Sequence, residues 1–221
     1  MKLLIEALAK FACGLIMVSL LIFLPAGTFC YTYGWLLIGL LFGPMLIAGV
    51  VMLVKSPEFM KKRLDAKEKQ GTQKGVVAFS GLMFIIGFVV AGLDFRFGWS
   101  AMPTWVVITS SVLFLVAYAL YAEVMRENAY LSRTIRVEEG QTVVDTGMYG
   151  IVRHPMYAVT ILLFLMIPLT LGSWYALIAF GFYPALIVFR LKDEEELLTW
   201  ELPGYAEYKQ KVKYRIIPFI W

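Results

Sequence analysis

The chain has 221 residues, of which 60% are hydrophobic and only 16% charged, and its mean hydropathy is +0.75. Soluble domains are typically about 45–50% apolar and about 25% charged, so this composition excludes a disordered chain and an ordinary cytosolic enzyme and predicts a membrane protein. Two cysteines, Cys13 and Cys30, are too few for a disulfide framework, and the net charge of +4 suits either nucleic acid or anionic lipid until the charges are placed.

Six apolar stretches are predicted to be membrane helices, since a bilayer core requires about 20 apolar residues. The last two are short and are separated only by Gly172-Ser173, so they are predicted to form an antiparallel hairpin, with Pro168 and Pro184 as candidate kinks. A cleaved signal peptide is the alternative for the first stretch. The six stretches are residues 11–29, 35–54, 75–93, 103–122, 155–171 and 174–189.

The positive charges lie in four segments between or beyond these stretches. Nineteen of the 20 lysines and arginines fall at the N-terminus and in residues 55–75, 123–153 and 190–215. Six spans place all four segments on one side and leave Arg96 on the other. The positive-inside rule then predicts that both termini are cytoplasmic, so the basic charge reflects topology and contact with membrane lipid, and no nucleic-acid partner is expected.

The first basic segment between two spans, residues 55–75, begins with the pattern of a helix start. Ser56 suits an N-cap, Pro57 the first helical position and Glu58 the first turn. Apolar residues between the following lysines favour an amphipathic helix at the membrane interface. A solvated basic loop is the alternative.

Residues 147–157, with the sequence GMYGIVRHPMY, are the first candidate for polar chemistry and contain the only histidine of the chain. Pro155 suits the first turn of the fifth span, whose positive N-terminal end would attract an anionic group, with Arg153 and His154 beside it. The alternative is ordinary anchoring of a helix by basic and aromatic residues at the interface.

The second candidate is Arg190, at the end of the sixth span, with Glu194 one helical turn later on the same face. Ionisable residues at the end of a membrane helix are functional candidates, although an exposed ion pair worth about 0.3–0.5 kcal/mol is the alternative. Because a hairpin brings the two candidates together, they predict a pocket with both signs of charge, suited to a zwitterionic ligand with an aromatic base and a partner arriving from lipid.

The order of these motifs resembles the isoprenylcysteine carboxyl methyltransferase family, in its prokaryotic branch, which is akin to phospholipid N-methyltransferases. GMYGIVRHPMY is followed by the hairpin, by Arg190 with Glu194-Glu195, and then by GYAEY and RIIPF; SPEFMKKRL near the first basic segment is also similar to that branch. The first four spans are not diagnostic.

The resemblance implies an all-α integral membrane enzyme of a prokaryotic cell membrane, with S-adenosylmethionine in a cytoplasmic pocket closed by the C-terminal segment. Arg190 and Glu194 are the implied catalytic residues, with Arg190 facing the substrate, and Arg153 is a second substrate-binding candidate. Gln141 stands where the family often has histidine. The implied cofactor-binding residues are Gln141, Thr142, Val143, Val144, Tyr149, His154, Pro155, Met156, Tyr157 and Glu194.

The predicted organisation is one functional unit. Residues 1–122 form four spans with a basic cytoplasmic loop at 55–75, and residues 123–221 form the catalytic region with the hairpin at 155–189 and a C-terminal cytoplasmic helix and tail. The predicted activity is methylation of a lipophilic or small substrate, at a carboxylate or else at an amine or thiol, without a metal ion. A membrane NADPH-dependent reductase of the steroid 5α-reductase type, or a non-catalytic membrane protein, is the alternative.

Overall fold

The computed structural model describes residues 2–64, 71–131, 135 and 137–221. Throughout these residues the regular structure is helical and contains no strand, as the sequence predicted. Part of the predicted basic loop (65–70) and two predicted cytoplasmic arginines, Arg133 and Arg136, lie outside the described residues. The helices are α1 (Lys2–Ala26), α2 (Thr32–Lys55), α3 (Pro57–Leu64), α4 (Gly71–Phe97), α5 (Thr104–Glu127), α6 (Pro155–Thr170), α7 (Trp174–Phe180), α8 (Tyr183–Glu201) and α9 (Tyr205–Lys211).

Five of the described segments are long and apolar enough to cross a bilayer, and they identify an integral membrane protein. Four are single helices, and the fifth runs Trp174–Glu201 through α7 and α8. The fifth predicted stretch, residues 155–171, forms α6, which is apolar but has only 16 residues. Large apolar side chains such as Leu24, Ile47 and Trp105 point outward, each more than 60% exposed, as lipid contact requires.

The first basic segment is largely helical in its described part. Residues 57–64 form α3, as the Ser-Pro-Glu pattern predicted, and α4 already begins at Gly71. Among the described residues of 55–75 only Ser56 is not helical, because lysines are compatible with helical structure at the ends of apolar spans.

The two hairpin helices are joined by a tight turn at Leu171, Gly172 and Ser173. Gly172 has a φ of +75°, and a Cβ there would lie 2.9 Å from the Tyr33 ring, so the turn requires glycine. Ser173 caps α7 by accepting a hydrogen bond from the Ala176 amide at 3.0 Å. The second helix is interrupted at Gly181-Phe182, directly before Pro184 in the first turn of α8.

Asp94 connects the end of α4 to this turn, at the end of the bundle opposite His154. Its side chain is only 2% exposed. It accepts hydrogen bonds from the Ser100 amide and hydroxyl, both at 2.6 Å, and from the Ser173 hydroxyl. The Ser100 oxygen in turn accepts from the Trp174 amide at 3.0 Å. One carboxylate thus ties the α4–α5 loop to the beginning of α7.

Asp94→Ala is expected to lower the free energy of unfolding by roughly 3 kcal/mol, because hydrogen bonds to a charged group contribute about 1.5–3 kcal/mol each and buried donors lose their acceptor. Asp94→Asn keeps an acceptor for the Ser100 amide and should cost less. Chemical unfolding in detergent measures both. Equal stability of Asp94→Ala and the wild type would show that this network does not stabilise the fold.

Candidate functional site

A cavity of about 530 Å³ lies where the beginning of α6 meets the last turns of α8. Helices α4, α8 and α9 and the irregular segment between α5 and α6 contribute to its wall. All of the predicted site residues except Pro155 line it, although they come from three separate stretches of sequence. Pro155 is buried in the first position of α6, behind the wall.

Residues 141–144 form one wall as irregular backbone. The Gln141 side chain accepts a hydrogen bond from the Glu138 amide at 2.8 Å, and the Gln141 amide donates to the Glu138 carbonyl at 3.1 Å, so this side chain closes a local turn. The backbone groups of Thr142, Val143 and Val144 make no hydrogen bond to any described residue. They leave a row of donors and acceptors at the cavity, of the kind that a planar heteroaromatic ligand can pair with.

Three tyrosines stand next to this wall. Tyr149 is 7% exposed, and its hydroxyl has no hydrogen-bond partner among the described residues. The Tyr208 hydroxyl donates to the Tyr149 carbonyl at 2.7 Å. Burial raises the pKa of Tyr149, although the polar Asn128 side chain close to its hydroxyl lowers this pKa by a smaller amount; burial likewise raises the pKa of Tyr205 and Tyr208. All three phenols therefore keep their protons at neutral pH.

His154 is buried between the tail and α8. Its amide donates to the Arg215 carbonyl at 2.8 Å, and its Nε2 lies 3.4 Å from both the Tyr205 hydroxyl and Glu195 Oε1. Its ring stacks on Tyr157 with centroids 5.6 Å apart. His154 thus lines the cavity, while its Nε2 lies beside α8 and α9.

Glu195 is the centre of an ion-pair cluster that no local sequence pattern indicates. Only 5% exposed, it accepts hydrogen bonds from Arg153 Nε at 2.6 Å and Arg215 Nε at 2.9 Å. Arg153 also donates to the tail carbonyls of Val212 and Lys213, at 2.7 and 2.9 Å. These contacts fasten the C-terminal tail over the beginning of α6.

The same contacts bear on two predicted roles. The guanidinium of Arg153 is committed to Glu195 and the tail, which favours positioning of the tail, while its role toward a substrate stays a prediction. Glu195 does not line the cavity, so of these two adjacent glutamates only Glu194 faces it. Three consecutive glutamates point in different directions because successive helical residues are rotated by about 100°.

Arg190 and Glu194 both line the cavity, on the shared face that their spacing predicted. Tyr157 lies between them: its hydroxyl donates to Glu194 Oε2, and Arg190 Nε donates to the same hydroxyl at 3.2 Å. Arg190 Nη1 also donates to Gln73 Oε1 at 3.2 Å. An arginine, a phenol and a carboxylate thus form a chain across the junction of α6 and α8.

From this chain the cavity continues as an apolar arm between α4, α6 and α8. Helices α3 and α4, which lie outside the predicted catalytic region of residues 123–221, also contribute to this cavity. Arg63 reaches in from α3 and donates to the Tyr121 hydroxyl. The arm is lined by Val76, Val77, Ser80, Gly81, Phe84, Phe164, Leu186 and Ile187.

Within the described part of the chain, no group of three or more His, Cys, Asp or Glu side chains is placed to hold a metal ion.

These features define an all-α membrane protein whose helices hold a polar cavity that opens into an apolar arm. Residues 104–200 match the model of the isoprenylcysteine carboxyl methyltransferase (ICMT) family. The match covers less than half of the chain, and over this region the chain is similar to a family of membrane methyltransferases. Methyltransferases of this family generally use S-adenosylmethionine.

The chain is also similar to the delta(14)-sterol reductase of Mus musculus, with 33% identity over 91 residues. The match covers 40% of this chain and 22% of the reductase, so the chain spans about a fifth of the length of that curated relative.

Proposed function

We propose that this protein is an S-adenosylmethionine-dependent methyltransferase that acts at the cytoplasmic face of a membrane on a lipophilic acceptor. The observation that carries the proposal is that the residues implied for cofactor and acceptor, although distant in sequence, line one cavity. The cytoplasmic orientation is inferred from the basic segments at this end of the helices. It would place the cavity beside cytosolic cofactor and its apolar arm beside lipid.

The wall of the cavity fits the chemistry of the cofactor. The unpaired backbone groups of residues 142–144 suit an adenine edge, and the lone Tyr149 hydroxyl is a protonated donor at the same wall. Glu194 supplies a carboxylate for an ammonium group, and the Tyr157 ring supplies an aromatic face that attracts a positive sulfur.

In the proposed mechanism, S-adenosylmethionine supplies a methyl group on a sulfonium, which needs no acid to become a leaving group. His154, Tyr149 and Glu194 bind and orient this group. Arg190 receives the anionic group of the acceptor in a charge-assisted hydrogen bond and aims it at the cofactor side of the cavity. The tail held by Arg153 and Glu195 excludes water. Alignment of two reactants in this manner can contribute about 7–11 kcal/mol.

The surroundings favour a carboxylate as the methyl acceptor. An amine or a thiol would have to lose a proton, whereas Glu194 already accepts a hydrogen bond from Tyr157, and His154 Nε2 lies beside Glu195 and Tyr205. A carboxylate is ionised at neutral pH and requires no base. Arg190 at the mouth of an apolar arm therefore suits an acid that carries a lipophilic chain.

Titration calorimetry of the protein in detergent with S-adenosylmethionine tests the proposal directly. Saturable binding is expected. No binding to a folded wild-type protein would rule out the methyltransferase function.

Tyr149→Phe is expected to weaken S-adenosylmethionine binding roughly fivefold without loss of stability, because one hydrogen bond contributes about 1 kcal/mol and the Tyr149 hydroxyl has no partner among the described residues. Tyr208→Phe is the matched control: it removes a buried hydrogen bond to the Tyr149 carbonyl and should lower thermal stability. An unchanged dissociation constant in Tyr149→Phe would remove the hydroxyl from the cofactor site.

The similarity to a sterol reductase supports a membrane reductase as the second candidate. Such an enzyme would bind NADPH in the same cavity. Thermal unfolding with each ligand separates the two functions: stabilisation by S-adenosylmethionine is expected, and stabilisation by NADPH alone would favour the reductase.

A further inference from the structure

Gln73, in the first turn of α4, is a fully buried polar residue that none of the sequence motifs includes. Its side chain has no solvent exposure. Its Nε2 donates to Asp193 Oδ2 at 2.7 Å, and its Oε1 accepts from Arg190 Nη1 at 3.2 Å. Because a guanidinium only donates and a carboxylate only accepts, these two neighbours determine which end of the amide faces which.

Gln73 is placed to act on the cavity through Arg190. Arg190 lines the cavity, whereas Gln73 and Asp193 lie behind it. The Arg190 guanidinium is held at Nε by the Tyr157 hydroxyl on α6 and at Nη1 by Gln73 on α4. Two hydrogen-bond acceptors on different helices restrict the orientation of the guanidinium plane more than one acceptor would.

We propose that Gln73 is a positioning residue, which holds Arg190 in the orientation that receives the anionic group of the methyl acceptor. The inference rests on the proposed role of Arg190. An arginine side chain that is already fixed loses less rotamer freedom when it binds the methyl acceptor. A residue that fixes Arg190 therefore strengthens binding of the methyl acceptor without contacting it. Gln73 also makes the first turn of α4 part of the acceptor site.

Three variants test this role. Gln73→Met keeps the length of the side chain and removes both hydrogen bonds. Gln73→Glu combined with Asp193→Asn exchanges the carboxylate and the amide between the two positions and leaves the total charge unchanged. The amide at position 193 then donates, and the carboxylate at position 73 accepts from both neighbours. Asp193→Asn alone is the control for this pair. Lys74→Met is the control for position, since Lys74 is exposed.

The first measurement is the transfer of labelled methyl from S-adenosylmethionine to N-acetyl-S-farnesylcysteine, a lipophilic carboxylate. Gln73→Met should raise the KM for this acceptor at least about tenfold, since Arg190 loses its hydrogen bond to α4, with the dissociation constant of S-adenosylmethionine unchanged. The exchanged pair should restore the KM to within about threefold of the wild type. A merely structural role of Gln73 would change both constants together.

The second measurement needs no acceptor. The Arg190 Nε–H signal in a ¹⁵N NMR spectrum, assigned by its loss in Arg190→Lys, should shift in Gln73→Met and stay in place in Lys74→Met. An unchanged signal in Gln73→Met would overturn the proposal. A wild-type protein that binds no S-adenosylmethionine would instead overturn the proposed function, and the NMR signal would still decide whether Gln73 positions Arg190.

Discussion

Glu195→Ala is expected to lower the free energy of unfolding by about 3–5 kcal/mol, because removing one partner of a buried ion pair leaves the other charge uncompensated. The stranded charge is Arg153, whose side chain is 6% exposed and cannot reach water without moving the tail. Arg215 is 34% exposed and contributes less, since solvent screens its pair with Glu195.

The effect of Glu195→Ala should extend to the cofactor. Arg153 fastens the tail at Val212 and Lys213, and the tail carbonyl of Arg215 holds the His154 amide. Loss of the cluster should therefore release residues 212–221, weaken S-adenosylmethionine binding and expose the tail to protease. Chemical unfolding, calorimetry and limited proteolysis measure the three consequences.

Glu196→Ala is the matched control, since Glu196 is exposed and adjacent in sequence. It should leave stability and proteolysis unchanged. If Glu195→Ala were as stable and as resistant to protease as Glu196→Ala, Glu195 would not be the anchor of the tail.

The features that the sequence predicted correctly depend on local signals. Helix α3 follows from Ser56, Pro57 and Glu58, because each favours its own position at a helix start. The hairpin follows from a two-residue break between apolar stretches, and the common face of Arg190 and Glu194 follows from helical spacing. These inferences need no knowledge of what packs against the helix.

The features that the sequence missed depend on contacts between distant residues. Gln73 and Arg190 are 117 positions apart, and Asp94 and Ser173 are 79 apart, so no local pattern connects them. Glu194 and Glu195 are chemically identical neighbours, and only the packing of the tail against α8 shows that one faces the cavity and the other the tail. The contribution of α3 and α4 to the cavity was missed for the same reason, since apolar residues such as Val76 and Phe84 look like lipid-facing residues in sequence.

The apolar arm explains why the polar residues stand at the junction of α6 and α8. The apolar arm and the surrounding lipid are similar environments for a long hydrocarbon chain. The arm therefore contributes little to discrimination among acceptors that differ in their hydrocarbon chains. Discrimination then depends on the charged end of the acceptor, and Arg190 lies where the arm meets the polar part of the cavity. In the proposed function, the two halves of the cavity would divide capture of the acceptor's chain from alignment of its reacting group.

Arg190→Lys is accordingly expected to reduce methyl transfer to a lipophilic carboxylate by about 100-fold or more, because misplacement of a reactant by about 1 Å can cost that much. Lysine keeps the charge but is a flexible point donor, so it cannot hold the Tyr157 hydroxyl, the Gln73 oxygen and an acceptor at once. S-adenosylmethionine binding should stay within about threefold of the wild type, because Glu194 keeps its Tyr157 hydrogen bond.

Lys192→Ala provides the control, since Lys192 is exposed and lies two residues from Arg190 on α8. It should retain full transfer in the same assay of labelled methyl incorporation. A protein in which Arg190→Lys transfers methyl as fast as Lys192→Ala would align its acceptor with another cation, and Arg63, which lines the same cavity from α3, would then be the residue to replace. Loss of transfer together with loss of S-adenosylmethionine binding would instead place Arg190 in the cofactor site. Arg190 belongs to the acceptor site if Arg190→Lys lowers only methyl transfer, and to the cofactor site if the variant also weakens S-adenosylmethionine binding.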